Sequence, residues 1–186
     1  MIRIYRRQPL KRLTADEKTL CEGLISKEEA ESALSKMKSN KSPGLDGLSN
    51  EFYKCFWTDI GDLVVASFNE AFGKEILSES RNTSVISLIF KKGERTDLRN
   101  YRPISLANTD YKLLAHILAN RLQKVLDKII SPDQTGYIKK RYIGTNIRKI
   151  LDTIQYTSDK NQTGILLFLD FEKAFDTVEW PFLFKF

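Results

Sequence analysis

Cysteine and histidine are almost missing from this chain. Its 186 residues include two cysteines, Cys21 and Cys55, and one histidine, His116. With no C-x-x-C pair and no histidine cluster, a zinc site or a disulfide framework has nothing to build on, and nothing opposes a reducing compartment. Long apolar runs are missing as well. No stretch approaches the ~20 residues that a membrane-spanning helix needs, so no membrane partner is expected. The first 18 residues carry Arg3, Arg6, Arg7, Lys11 and Arg12 without the apolar segment of a secretory signal. Repeats, low-complexity tracts and a clear internal domain boundary are absent too.

The residues that are present can build a core and favour anions. Hydrophobic residues make up 41%, which excludes disorder throughout, and 30 Lys+Arg against 24 Asp+Glu give a formal net charge of +6. That excess points to polyanionic partners.

Toward the end of the chain an apolar run, residues 165–169, leads into Asp170. Its length fits a buried strand, and periodicity alone does not separate that from a buried helix. Gly164 before it and the acidic residue after it favour the strand. A carboxylate where a buried strand emerges is costly unless a cation neutralises it. Hard carboxylate oxygens suit Mg²⁺, and the plain alternative is an Asp170 that caps the next turn.

Upstream, residues 1–20 read as a basic, loosely ordered lead-in, with a single domain from residue 21 onward. Ser26 and Glu29 fit a capping box, with Ala30, Ala33, Leu34 and Met37 following at helical spacing. Lys41-Ser42-Pro43-Gly44-Leu45-Asp46-Gly47 is a defined turn, either a plain helix connector or a basic loop near a nucleic-acid backbone. Phe52, Tyr53, Phe56, Trp57, Ile60, Leu63, Val64, Phe68 and Phe72 continue a helical core pattern as far as Gly73. Residues 84–90 read as a strand ending in the turn Lys91-Lys92-Gly93, and Arg102 sits in a stretch that looks half-buried and needs an anionic partner. Leu113, Leu114, Ile117, Leu118, Leu122, Val125, Leu126, Ile129 and Ile130 predict one continuous helix of about 30 Å, with Arg121 on its solvent face. Tyr137-Ile138-Lys139-Lys140-Arg141-Tyr142 interleaves aromatics with cations, a plausible template-strand contact. Ile147, Ile150, Leu151 and Ile154 mark a further amphipathic helix.

In order along the chain, Lys41-Ser42-Pro43-Gly44-Leu45-Asp46-Gly47, Glu51-Phe52-Tyr53-Lys54, Leu88-Ile89-Phe90-Lys91-Lys92-Gly93, Asn100-Tyr101-Arg102-Pro103-Ile104-Ser105-Leu106, Leu118-Ala119-Asn120-Arg121-Leu122, Asp133-Gln134-Thr135-Gly136-Tyr137 and Leu169-Asp170-Phe171-Glu172-Lys173-Ala174-Phe175-Asp176 form one set. That set resembles the reverse transcriptase of non-LTR (LINE-type) retrotransposons over roughly residues 13–183. The resemblance implies an α+β fold: a right-hand polymerase with mostly helical fingers and the first strands of the palm, truncated here. It implies an RNA-directed DNA polymerase whose partners are an RNA template, a DNA primer and dNTPs. A cytoplasmic and nuclear location is what the family leads one to expect.

By the same resemblance, Asp170 is the first palm carboxylate and coordinates catalytic Mg²⁺, with the Phe171 carbonyl assisting. Two such ions would stabilise both the attacking hydroxyl and the leaving pyrophosphate. Phe175 matches a steric gate against the ribose 2′-hydroxyl, and Phe171 lies beside the nucleotide. Lys91, Lys92 and Arg102 match the residues that grip the triphosphate, with the choice between the two lysines open. Gln134, Gly136, Tyr137, Lys139, Lys140 and Arg141 match the template and primer contact. There Lys140 stands where a Gly generally precedes the Arg. The aromatic-x-Asp-Asp turn that supplies the remaining metal ligands in the family does not occur in this sequence. One carboxylate does not hold two Mg²⁺ ions in octahedral geometry, so the 186 residues alone are expected to synthesise no DNA. Two alternatives stand beside this reading: a non-catalytic nucleic-acid-binding remnant, and a product that barely folds because its palm strands lack neighbours.

Overall fold

The computed structural model describes residues 12–171 and 178–183. Among the described residues about half are helical and one sheet of two antiparallel strands is present, an α+β arrangement dominated by helices. It divides into two compact units, residues 1–140 and 141–186, where the sequence pattern shows no boundary.

The first unit opens with α1 (Ala15–Thr19), α2 (Lys27–Lys36), α3 (Asn50–Cys55) and α4 (Trp57–Lys74). Within the stretch read as a lead-in, Thr14 and Glu17 form a complete capping box, and Glu17 pairs with Lys128. Ser26 does cap α2 by accepting the Glu29 N–H. The main partner of the Glu29 carboxylate is Arg121, at 2.7 and 2.8 Å. Arg121 is therefore buried rather than solvent-facing, and its guanidinium also donates to the Glu22, Gly23 and Leu24 carbonyls. A fork with five donors serves one carboxylate and three carbonyls at once, which lysine could not do.

The core joins α2, α3, α4 and α6 (Thr109–Gln123) through Ile25, Ala30, Ala33, Leu34, Tyr53, Trp57, Val65, Phe68, Leu113, Leu114 and Ile117. The small faces of Ala30 and Ala33 leave room for α6, and Phe68 fills the centre with no exposed surface. The expected core is realised only in part, because Phe56, Leu63 and Phe72 are exposed. Helix α4 also runs one residue past Gly73 and closes on Glu75 in the left-handed conformation (φ 55°), so the glycine is not the stop.

After α5 (Glu79–Asn82), strands β1 (Ser84–Phe90) and β2 (Tyr101–Ala107) pair in register from Ser84↔Ala107 to Phe90↔Tyr101. The expected 30 Å helix is interrupted. Helix α6 (Thr109–Gln123) ends in a tight turn, where the N–H groups of Lys124 and Val125 bond the carbonyls three residues back, and α7 (Leu126–Ile129) follows. Periodicity survived this break because Val125 stays fully buried, so the apolar spacing carries no trace of it.

The second unit holds α8 (Gly144–Asp159), as the spacing predicts, and α9 (Trp180–Leu183). The strand expected at 165–169 is not there. These residues are irregular and exposed, with Ile165 at 95%. A strand exists only with a neighbour to take its ladder of hydrogen bonds, and the sheet among the described residues contains β1 and β2 alone.

Candidate nucleotide and nucleic-acid interface

The hairpin and the helix that follows it share one foundation. At the start of α6, Asn108 donates from Nδ2 to the Ser80 carbonyl (3.0 Å) and accepts the Asp46 N–H at Oδ1 (3.4 Å). Thr109 donates its hydroxyl to Leu48 O at 2.6 Å, and Lys112 donates to Ser42 O at 2.9 Å. Arg81 of α5, buried beside the Phe68 ring, meets Asp110 at 2.7 Å. The loop 41–48 is therefore more than a connector, since it is fastened to the hairpin base. Nothing in the hydrophobic pattern marks Asn108 as the hub. Its polar side chain before a helical run marks only a cap.

At the far end the strands lead into the turn 91–100, closed by Lys91 N–H to Asn100 O at 2.8 Å and Asn100 Nδ2 to Glu94 O at 2.9 Å. Gly93 (φ +94°) lies under the Asn100 side chain, where a β-carbon would come within 2.7 Å. The five cations of this region have unequal standing. Arg99 is held by Asp97 at 2.9–3.1 Å, and that pairing draws the Asp97 carboxyl below its ordinary range. Arg95 lies over the Phe90 ring, 5.2 Å from its centre. Lys91, Lys92 and Arg102 are exposed and make no ion pair or side-chain hydrogen bond among the described residues. Arg102 is thus not half-buried, as its apolar neighbours suggested. Both faces of this two-stranded ribbon are open, with Ile89 opposite it 53% exposed. Among the described residues no carboxylate pairs with Arg102, which leaves its guanidinium available to an external anion.

Register adds a distinction the sequence leaves open. Directly opposed residues of an antiparallel pair share a face, and faces alternate along a strand. Arg102 pairs with Ile89, and Lys91, which continues the ladder by donating to Asn100 O, falls toward the Arg102 side, whereas Lys92 stands past the end of the strand in the turn.

Further along, the residues matched to template contact form consecutive turns, with Gln134 bonding Gly136 O at 3.4 Å. Tyr137 is fully exposed and, like Lys140, takes a positive φ (62° and 65°). Lys139 and Lys140 are exposed and Arg141 is half-buried. The conformation at Lys140 is one that glycine adopts without strain and that an L-residue adopts at a cost.

Asp170 and Phe171 are exposed, and the buried-strand argument for a costly carboxylate does not hold at this position. Phe175 lies outside the described residues, as do Glu172 and Asp176. Among the described residues no three Asp, Glu, His or Cys side chains gather as metal ligands. One carboxylate and one main-chain carbonyl fall short of the ~6 oxygen donors of octahedral Mg²⁺, so these residues do not by themselves make a metal site.

Comparison with known sequences follows the same stretches. The family described as "Reverse transcriptase (RNA-dependent DNA polymerase)" matches residues 89–186. The transposon TX1 uncharacterized 149 kDa protein of Xenopus laevis is 40% identical over 86% of the chain, covering 12% of that protein. The RNA-directed DNA polymerase from mobile element jockey of Drosophila funebris is 26% identical over 84% of the chain and 18% of its own length. The Pol polyprotein from type-1 retrotransposable element R2 of Popillia japonica is 38% identical over half the chain and 13% of its length. The chain spans less than a fifth of each of these relatives.

Proposed function

The chain belongs to the reverse transcriptase family, on the non-LTR retrotransposon side, and from that premise we propose that it forms the fingers and the start of the palm of a right-hand RNA-directed DNA polymerase. Its share of the reaction is to hold the incoming dNTP and the nucleic-acid strands. The observation that carries this reading is the hairpin tip, where Lys91, Lys92 and Arg102 stand without internal anions while Arg95 and Arg99 are occupied.

Arg102 supplies a planar fork that matches two phosphate oxygens, and Lys91 on the same side adds a point charge. Lys92 contributes through long-range attraction only. In Gln134–Tyr137, the exposed Tyr137 ring offers a stacking surface for a base, and Lys139, Lys140 and Arg141 neutralise phosphates. Asp170 serves as one metal carboxylate with the Phe171 carbonyl beside it, and Phe175 excludes a ribose 2′-hydroxyl. The divalent ion, when bound, supplies charge stabilisation to the transferring phosphoryl group. Completing its coordination requires carboxylates beyond Asp170.

A titration of fluorescent dNTP against the 186-residue chain tests the reading. The wild type binds, and K91Q/K92Q/R102Q weakens binding by at least tenfold with an unchanged circular dichroism spectrum. Equal affinity of the two proteins would refute it. The non-catalytic remnant has no observation in its favour over this one.

A further inference from the structure

A second basic site lies at the base of the hairpin, away from its tip. The end of α2, the loop 38–42, Leu106 of β2 and the α6 residues Lys112 and His116 enclose a cavity of about 540 Å³. Four lysines line it, Lys36, Lys38, Lys41 and Lys112, and no carboxylate does. Glu51 accepts the Asn40 N–H of the same loop but does not line the cavity, and four converging cations favour an anion in the space between them.

The local hydrogen bonds show which of these charges are uncommitted. Main-chain carbonyls that could have satisfied them are taken by other donors. Lys54 holds Met37 O at 2.6 Å, Asn50 holds Lys38 O at 2.6 Å, and Lys112 holds Ser42 O at 2.9 Å. Lys36, Lys38 and Lys41 are exposed and have no partner among the described residues. The backbone beneath them is pinned by Asn50, which is buried, and by the loop's attachment to Asn108 and Thr109. The three ammonium groups thus stand on a fixed base. Met37 and Leu106 give the cavity an apolar floor on which a sugar or base edge can lie.

We propose that this cavity binds the sugar–phosphate backbone of a nucleic-acid strand, with Lys36, Lys38 and Lys41 neutralising successive phosphates. Leu106 and Arg102 are four residues apart on β2, roughly 13 Å at ~3.3 Å per residue. At the ~3.4 Å per charge that each strand has within a duplex, about four nucleotides span that distance, and a more extended single strand needs fewer, so one strand can reach from the cavity toward the tip. The site stands apart from the triphosphate reading, because it needs no nucleotide at the tip.

The test is fluorescence anisotropy of a labelled single-stranded RNA on the full 186-residue chain over a range of KCl concentrations. Three neutralised contacts lower the slope of log K against log salt by about 2, at ~0.7 per phosphate for single strands. K36Q/K38Q/K41Q therefore shows that reduced slope, and K36R/K38R/K41R restores the wild-type one. A charge-matched control, K18Q/K74Q/K160Q, keeps it. A matched DNA strand separates the two sources of phosphate: equal loss on both makes the backbone charge the recognised group, and loss on RNA alone makes the ribose-bearing strand the occupant. The proposal is overturned by a wild type that does not bind, by an unchanged slope in the glutamine variant, or by an equal loss in the control. The dNTP titration of K36Q/K38Q/K41Q stays at the wild-type value, so failure at the hairpin tip and failure at this cavity are read separately.

Discussion

A β-carbon added to Gly44 would stand 2.1 Å from Asn108 Oδ1 and 2.5 Å from the Asn108 main-chain nitrogen. The loop 41–48 and the start of α6 therefore meet backbone to backbone, with no space for a side chain between them. Because Asn108 also holds Ser80 and Asp46, this one contact fixes both the hairpin base and the lysine-lined cavity.

Gly44→Ala should accordingly destabilise the first unit by about 1–3 kcal/mol, the usual range for overpacking where backbone cannot retreat. Urea denaturation followed by Trp57 fluorescence measures it. A midpoint equal to wild type would mean that the loop is free to move away from Asn108.

Arg121 is the second fixed point. Arg121→Met removes the partner of Glu29 and the donor to three carbonyls, and should cost roughly 3 kcal/mol, as when one half of a largely buried ion pair is deleted. The hydrogen bond from Arg121 draws the Glu29 carboxyl below its ordinary value of 4.5. Its contribution to stability is thus fully present above that value and is lost as pH falls through the lower folded-state value. Urea midpoints across the acid range should fall more steeply for wild type than for Glu29→Gln, and identical acid limbs would contradict the pairing.

Lys140 supplies a prediction in the stabilising direction. At φ 65° its backbone holds a conformation that costs an L-residue roughly 1 kcal/mol and glycine nothing. Lys140→Gly should leave the melting temperature unchanged or raise it, since relief of strain offsets the greater freedom of the unfolded chain, whereas Lys140→Val should lower it. A drop for glycine as large as that for valine would refute the left-handed conformation.

Primer extension on an RNA template should yield no product from these 186 residues in Mg²⁺. In the proposed role Asp170 and the Phe171 carbonyl supply two donors, well short of the ~6 that octahedral Mg²⁺ takes. Incorporation of dNTPs that disappears in Asp170→Ala would show that the chain completes the site by itself.

Much of this architecture can be read from residue order, and the exceptions have physical causes. The helices α2, α4, α6 and α8 and the strand leading into Lys91-Lys92-Gly93 follow from periodicity and turn chemistry. Local pattern does not show how polar groups pair at a distance. Glu29 looks like half of a capping box until Arg121, 92 residues away, claims it, and Arg121 looks like a surface charge for the same reason. Residues 165–169 carry the composition of a strand, yet composition cannot provide the neighbouring strand that pairing requires. For the candidate site, the family resemblance pointed to Lys91, Lys92 and Arg102. Register was needed to separate the two lysines, and hydrogen-bond partners were needed to set aside Arg95 and Arg99.

In the proposed function the hairpin tip grips a triphosphate from the side shared by Lys91 and Arg102. Competition of dNTP against the matching monophosphate, measured on R102Q, K91Q and K92Q, tests it most directly. A charge-assisted hydrogen bond contributes ~1.5 kcal/mol or more, so R102Q and K91Q should each weaken dNTP binding about tenfold and erase most of its advantage over the monophosphate. K92Q should change it by less than about threefold, as a screened exposed charge does. An unaltered triphosphate preference in R102Q, or a K92Q loss exceeding that of K91Q, would contradict the account.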